Sequence, residues 1–224
     1  LRRLDGERAA RGDALARMAA MVAHEIRNPI GTIRSAAELV AARSGPLLGE
    51  RDREALGDVL GEVERLRRLT EDFLDLSREP GLAAVPVDLS ELAADAVRGL
   101  SRTHPSVRVR LDVPALRATA DQGRTRQVLA NLLVNAAEAG ATSVELTAVP
   151  ADGAACVTLQ DDGAGVDPAL RERLFDPFVT GRASGTGLGL AISRRIVERQ
   201  GGSLRNLPSD RGARFELRLP LATG

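Results

Sequence analysis

The side chains best suited to chemistry in this chain of 224 residues lie in one short run, His24-Glu25-Ile26-Arg27-Asn28-Pro29. The chain has only two histidines and four asparagines, so the run uses scarce residue types. A neutral imidazole is a nucleophile near neutral pH, and a neighbouring carboxylate can hold its tautomer. His24 is therefore a candidate nucleophile, positioned by Glu25. Taken alone, the run is better explained as a solvent-exposed helical histidine, and only a nucleotide pocket elsewhere in the chain favours the nucleophile.

A second group of polar residues lies in Asn131-Leu132-Leu133-Val134-Asn135-Ala136, within a predicted helix. Asn131 and Asn135 are four residues apart, so their amides project from the same helical face. An amide oxygen is a suitable ligand for Mg²⁺, which shares its coordination with phosphate oxygens. The alternative is a surface helix that carries two incidental asparagines.

Two glycine-rich motifs follow. Asp161-Asp162-Gly163-Ala164-Gly165 ends a predicted strand, where a carboxylate can accept a hydrogen bond from the adenine amine and glycines allow close backbone approach. An ordinary turn explains that motif equally well. The second motif, Gly185-Thr186-Gly187-Leu188-Gly189-Leu190, opens a predicted helix whose N–H groups could bind phosphate.

The segment between the glycine motifs, Phe175-Asp176-Pro177-Phe178-Val179-Thr180-Gly181-Arg182, holds two of the four phenylalanines of the chain. We predict that it forms a lid over a nucleotide, with Arg182 reaching the terminal phosphates. The alternative is a loop held in place by its two aromatic side chains.

Composition narrows the class of protein. The chain has 43% hydrophobic residues and no net charge, which supports an aliphatic core and argues against broad nucleic-acid binding. The single cysteine, Cys156, excludes an internal disulfide and fits a reducing compartment. No apolar run approaches the roughly 20 residues of a membrane span. We expect any membrane part to lie upstream, and we expect this portion to be cytoplasmic.

The elements that must position these motifs fall into two segments. Residues 1–80 show helical periodicity with a break at residues 44–49, which predicts a helical hairpin that dimerises into a four-helix bundle. After a linker at 81–87, residues 88–221 alternate between helices and strands, which predicts a mixed α+β domain. Residues 107–111 and 116–120 are predicted to pair as a hairpin.

Taken together, the motifs resemble the H, N, first glycine, F and second glycine boxes of the sensor histidine kinases of two-component systems, in that order. The resemblance runs from about Leu15 to Leu219. The Phe-Val-Thr-Gly-Arg sequence before the second glycine motif is closest to the nitrogen-regulation type. That subgroup often has Lys at the position of Arg182, so the charge is kept and the clamp geometry is expected to differ. Many relatives have Lys at the position of Glu138, so one phosphate contact is expected to be missing or supplied elsewhere.

The resemblance implies a dimerisation and histidine-phosphotransfer hairpin followed by a Bergerat-type ATP-binding sandwich. It implies that ATP phosphorylates His24 and that the group passes to an aspartate of a response regulator. Asn28, one helical turn from His24, is expected to orient a water that dephosphorylates this regulator. Asn135 is the expected Mg²⁺ ligand. The other expected nucleotide-binding residues are Asn131, Asp161, Gly163, Gly165, Phe178, Arg182, Gly185, Thr186, Gly187, Leu188 and Gly189.

Two other functions stay open at this point. The first is a catalytically silent ATP-binding signalling scaffold, although such proteins lose the nucleophile, the Mg²⁺ amide or the glycines, and these are present here. The second is a gyrase-like or MutL-like ATPase, which shares the pocket motifs but lacks the histidine-bearing hairpin.

Overall fold

The computed structural model describes residue 26 and residues 28–44, 47–77, 83–182 and 185–222. The chain separates into two compact units, Leu1–Pro80 and Gly81–Gly224, called here the first and second unit. His24 and Glu25, the predicted nucleophile and its carboxylate, lie outside the described residues.

The described part of the first unit contains two α-helices, α1 at residues 28–44 and α2 at Glu50–Ser77. Glu50 and Asp52 in the first turn of α2 favour the start of that helix through its dipole. Arg34 on α1 forms an ion pair with Glu64 on α2 at 3.4 Å, so the two helices lie side by side. Their buried apolar side chains are Ile30, Ala37, Val63 and Leu74. None of the helices in the described part of the chain has the length and apolarity to cross a membrane.

A second apolar series on the same two helices remains exposed. Its members are seven residues apart on each helix: Ile26, Ile33 and Val40, and then Val59, Leu66 and Phe73. A seven-residue apolar repeat is typical of helices that pack into a bundle. The hairpin therefore covers one apolar stripe internally and leaves another on its surface.

The second unit is a layer of helices on a mixed sheet. In chain order its elements are β1 (Val85–Asp88), α3 (Leu89–Thr103), β2 (Arg108–Asp112), β3 (Arg117–Ala120), α4 (Gln122–Glu138), β4 (Ser143–Ala151), β5 (Ala154–Asp161), a 3-10 helix (Pro168–Arg173), α5 (Gly189–Arg199), β6 (Ser203–Leu207) and β7 (Arg214–Pro220). The main sheet has five strands in the order β2-β4-β5-β7-β6. β1 and β3 form a separate two-stranded sheet.

The core of the second unit lies between the helices and one face of the main sheet. Alternate residues along β4, β5 and β7 are buried, and the register aligns them in rows such as Leu146, Leu159 and Phe215. Leu129 and Leu132 of α4 are buried as well. This alternation is the pattern expected of a sheet with one covered face, and it confirms the predicted α+β class.

The predicted hairpin of residues 107–111 with 116–120 is wrong. β2 pairs in parallel with β4, and β3 pairs antiparallel with β1. Residues 85–88 thus form a strand within what the sequence indicated as the end of a linker. Asp88 caps α3 by accepting a hydrogen bond from the N–H of Ser90 at 2.8 Å.

Candidate ATP-binding site

The helix α4 carries both predicted pocket asparagines, and its start is fixed by Asp121. The Asp121 carboxylate accepts hydrogen bonds from the N–H of Arg124 at 2.9 Å and of Ala83 at 3.1 Å. The bond from Arg124 is the main cause that lowers the pKa of Asp121. The side chain of Gln200, which follows α5, accepts from the N–H of Asp121 at 2.5 Å. The start of α4 is therefore tied to the end of α5.

Asn131 makes a second link between these helices. Its amide nitrogen donates to the buried hydroxyl of Ser193 on α5 at 2.9 Å. Its amide oxygen lies so close to Gly189 that a Cβ there would be 2.5 Å away. A side chain at position 189 would displace the Asn131 amide, so Asn131 packs closely against the first turn of α5. The sequence indicated Asn131 as a nucleotide ligand, and it did not identify Ser193, whose position four residues after Gly189 was the available signal.

Asn135, one turn further along α4, contacts Arg182. This arginine belongs to residues 175–182, the segment predicted to form a lid and called here the lid segment. The amide oxygen of Asn135 accepts a hydrogen bond from the guanidinium of Arg182 at 2.8 Å. A second nitrogen of the same guanidinium forms an ion pair with Glu138. The amide nitrogen of Asn135 is buried, and no acceptor among the described residues reaches it. The structure thus joins the predicted Mg²⁺ ligand to the predicted phosphate clamp.

Asp161 lies at the end of β5 and is 3% exposed. Its Oδ1 accepts hydrogen bonds from the N–H of Gly163 at 2.9 Å and of Ala213 at 3.0 Å. These bonds fix the carboxylate at the start of the first glycine loop, Gly163 to Gly165. Because both bonds go to Oδ1, Oδ2 is left to accept a hydrogen bond from a ligand.

Asp162 has a structural role next to this loop. It accepts hydrogen bonds from the N–H groups of Ser143 and Thr142, each at 2.8 Å, and from the Thr142 hydroxyl at 2.9 Å. The bond from Ser143 is the largest of the causes that lower the pKa of Asp162 to about 2. The end of β5 is thereby fastened to the start of β4.

The two phenylalanines of the lid segment lie in different surroundings. Phe175 packs edge-on against Phe215 with ring centroids 6.4 Å apart, and Arg194 lies 5.5 Å above its ring. Phe178 is 61% exposed and has a positive φ of 65°. Its N–H donates to the carbonyl of Gly187 at 3.0 Å. The sequence alternative of a loop pinned by both aromatic side chains therefore holds for Phe175 alone.

The second glycine motif packs directly against the lid segment. Gly187 has a φ of +66°, and a Cβ there would lie 2.6 Å from the carbonyl carbon of Phe178, so glycine is required on two counts. Gly185 follows the turn around Arg182, and the Thr186 hydroxyl accepts from the N–H of Leu188 at 3.3 Å. Leu188 is the N-cap of α5 and has no polar side chain with which to cap it. The first N–H groups of α5 are thus available to an anion.

The donor set fits a magnesium ion shared with phosphate. The described residues contain no group of three or more histidine, cysteine, aspartate or glutamate side chains suited to a metal. The Asn135 oxygen already accepts from a cationic guanidinium, with a carboxylate one turn away. A cation is therefore favoured at this position, and the remaining ligands would have to come from a bound nucleotide.

Comparison with known proteins agrees with this geometry. A family model described as histidine kinase-, DNA gyrase B- and HSP90-like ATPase matches residues 120–223. A second model, the His Kinase A (phospho-acceptor) domain, matches residues 14–81. The second unit thus belongs to the ATPase class that its fold and site define. The chain as a whole, with both domains in this order, belongs to the sensor histidine kinases.

Two relatives illustrate the match. The sensor histidine kinase ZraS of Klebsiella oxytoca is 38% identical over 93% of this chain and 46% of the relative. The nitrogen regulation protein NtrY of Azorhizobium caulinodans is 33% identical over 94% of this chain and 29% of the relative. This chain spans less than half the length of either relative.

Two solved structures have the same fold. Full-length ShkA in complex with AMPPNP superposes with a TM-score of 0.78 at 30% identity, over 93% of this chain and 46% of that protein. The histidine kinase ThkA in complex with the response regulator protein TrrA gives a TM-score of 0.68 at 27% identity, over 99% of this chain and 67% of that protein.

Proposed function

We propose that this chain is the kinase portion of a sensor histidine kinase. It binds ATP in the second unit, transfers the γ-phosphoryl group to His24, and passes it on to an aspartate of a response regulator. The observation that carries the proposal is the direct contact among the pocket motifs: Asn131 with Gly189, Asn135 with Arg182, and Phe178 with Gly187. The match of residues 14–81 to a phospho-acceptor domain supplies the recipient.

Recognition of the nucleotide follows from the site. Oδ2 of Asp161 accepts a hydrogen bond from the adenine amine, and the N–H groups at the start of α5 bind phosphate oxygens. Asn135 would hold Mg²⁺, which when bound neutralises charge on the phosphates. The lid segment, including Phe178 and Arg182, covers the nucleotide. The AMPPNP complex of ShkA supports nucleotide binding in this fold.

Phosphoryl transfer requires a neutral imidazole. One ring nitrogen of His24 forms the N–P bond while the bond from phosphorus to the bridging oxygen breaks and ADP leaves. Glu25 accepts the hydrogen bond from the other ring nitrogen and stabilises the positive charge that develops there. The substrate of the second transfer is a response regulator, as supported by the complex of ThkA with TrrA. Because the donor is ATP, we place this portion of the protein in the cytoplasm.

The exposed stripe of the first unit supports a homodimer. Ile33, Val40, Leu66 and Phe73 are large apolar side chains that α1 and α2 leave exposed at seven-residue spacing. A second copy of the hairpin offers the complementary stripe, and the two would form a four-helix bundle with closed symmetry. The proposed boundaries are 1–80 for this dimerisation domain, 81–87 for the linker and 88–221 for the ATP-binding domain.

Labelling with [γ-³²P]ATP tests the kinase proposal, with the second histidine as the matched control. Wild type should acquire acid-labile, base-stable label, and His24→Gln should lose it. His104→Gln should retain it, because the ring of His104 bonds to the hydroxyl of its neighbour Thr103 at 2.9 Å, at the end of α3. Label retained by His24→Gln would contradict the assignment. ATP binding without label in wild type would favour the silent scaffold.

Phosphatase activity toward the regulator is the second proposed activity, and Asn28 is its residue. Asn28 is exposed on α1, where its amide is free to face a docked partner. Asn28→Ala should slow dephosphorylation of a phosphorylated regulator at least tenfold, while labelling of His24 stays within about twofold, because orienting a reacting water contributes about that much to a rate. Unchanged dephosphorylation would remove Asn28 from the mechanism.

A further inference from the structure

Glu138 lies at an unfavourable position for an acidic residue. It is the last residue of α4, whose final turn contains no basic side chain. The C-terminus of a helix carries partial negative charge, so a carboxylate there is repelled unless a cation lies nearby. That cation is Arg182, which comes 44 residues later in the chain.

Arg182 connects Glu138 to Asn135 through one guanidinium. One terminal nitrogen contacts the Glu138 carboxylate, and the other donates to the Asn135 amide oxygen at 2.8 Å. Asn135 and Glu138 are three residues apart on α4 and therefore face the same side. The buried, unpartnered amide nitrogen of Asn135 follows from this arrangement, because turning the amide round would direct an N–H₂ group at the guanidinium.

The lid backbone holds Arg182 in this orientation. The Thr180 hydroxyl accepts from the N–H of Arg182 at 3.1 Å, and the Arg182 carbonyl accepts from the N–H of Gly185 at 3.3 Å. A Cβ at Gly185 would lie 2.5 Å from the Thr180 hydroxyl, so that hydroxyl would have to shift to admit a side chain there. These hydrogen bonds hold the backbone of Arg182, whose guanidinium reaches α4.

We propose that Glu138 is a positioning residue that holds Arg182 on the Asn135 amide oxygen, so that Arg182 and Mg²⁺ compete for the same oxygen. The proposal rests on the proposed function, because it takes Asn135 as the metal ligand. Two cations at one amide oxygen repel each other, so a metal-bound nucleotide displaces Arg182 from it. The ion pair with Glu138 raises the free energy needed to displace Arg182, and it attracts Arg182 back once the nucleotide has left.

The experiment measures the Mg²⁺ dependence of nucleotide binding in the full chain. The probe is methylanthraniloyl-ADP, which lacks the γ-phosphate that Arg182 is proposed to contact. Glu138→Gln should lower the Mg²⁺ concentration for half-maximal binding by about two- to fivefold, the scale of a partly exposed ion pair. Glu145→Gln is the control, because Glu145 is similarly exposed and also pairs with an arginine, Arg110 at 3.3 Å. It should behave as wild type.

A double-mutant cycle separates positioning from direct repulsion between Glu138 and the phosphates. In an Arg182→Gln background, Glu138→Gln should have no further effect on the Mg²⁺ dependence. A persisting effect would overturn the proposal, since it would show that the carboxylate acts on the nucleotide without Arg182. A purely structural role would lower the thermal stability of Glu138→Gln and leave its Mg²⁺ dependence at the wild-type value.

The failure of this proposal is distinguishable from failure of the proposed function. If wild type binds methylanthraniloyl-ADP with Mg²⁺ and Glu138→Gln matches it, only the role of Glu138 is wrong. If wild type binds no nucleotide at any Mg²⁺ concentration, the ATP-dependent function itself is wrong.

Discussion

The two units bury their apolar side chains to different degrees. In the second unit, Leu146, Leu159 and Leu217 are each at most 1% exposed, and the helices cover the face of the sheet that carries them. In the first unit, Ile33 and Leu66 remain 50% and 37% exposed although their helices lie side by side. The second unit therefore completes its core within one chain, whereas the first unit leaves an apolar stripe exposed.

The largest expected effect contrasts one leucine from each unit. Leu146→Ala leaves a cavity in a closed core and should lower the free energy of unfolding by about 2–5 kcal/mol at every protein concentration. Leu66→Ala should lower it by an amount that depends on protein concentration, because in the proposed dimer the lost contact lies between copies. Urea unfolding followed by far-UV circular dichroism measures both, since the chain has no Trp or Tyr. Equal losses of unfolding free energy in the two variants, independent of protein concentration, would contradict this difference between the units.

A charge on the exposed stripe tests the dimer directly. Ile33→Glu should weaken dimerisation by roughly 100-fold or more, because a symmetric interface carries the buried charge twice. Light scattering coupled to size-exclusion chromatography should then show a halved mass. Val149→Glu is the control in the second unit, where Val149 is 57% exposed on β4, and it should leave the mass unchanged. A wild-type mass for Ile33→Glu would exclude this stripe as the interface.

The smallest expected effect concerns acid stability of the second unit. Because hydrogen bonds lower the pKa of Asp162 to about 2 from an ordinary 3.8, its ionised form stabilises the fold above about pH 4. That contribution is lost as the pH falls from about 4 toward 2. Asp162→Asn should lower the urea midpoint at neutral pH and flatten its decline in acid.

The control for this pH dependence is Asp112→Asn, an exposed carboxylate at the end of β2 in the same unit. It should leave the acid profile unchanged. If Asp162→Asn retained the full wild-type decline between pH 4 and pH 2, other groups would account for the acid sensitivity of this unit.

Local pattern was enough to predict much of the fold. Helical periodicity predicted the hairpin of residues 1–80, and the mixture of helix and strand patterns predicted the α+β domain, because such a pattern is a property of a single segment. The motifs also identified the family, which the matched models and relatives confirm. The catalytic roles of His24, Glu25 and Asn28 remain predictions, and the first two residues lie outside the described part of the chain.

The same patterns did not predict which strands pair with each other. Residues 116–120 were correctly expected to be extended, yet β3 pairs with β1, and β2 pairs in parallel with β4. A strand signal records which face is apolar, and the neighbour is decided by packing of the whole sheet. Side-chain contacts were no easier to predict, since the bond from Asn131 to Ser193, 62 residues away, had no signal in the helix pattern. The expected contact of Asn131 with a nucleotide remains a prediction.

Spacing within short segments was enough to predict the types of element, the order of the motifs and the family of the chain. That Glu138 and Asn135 share the guanidinium of Arg182 depends instead on how distant segments pack together. By sequence, Glu138 was a departure from its relatives that suggested a missing phosphate contact. Folding brings Arg182, which comes 44 residues later in the chain, into contact with Glu138. No local sequence pattern indicates an electrostatic contact between residues so far apart in the chain.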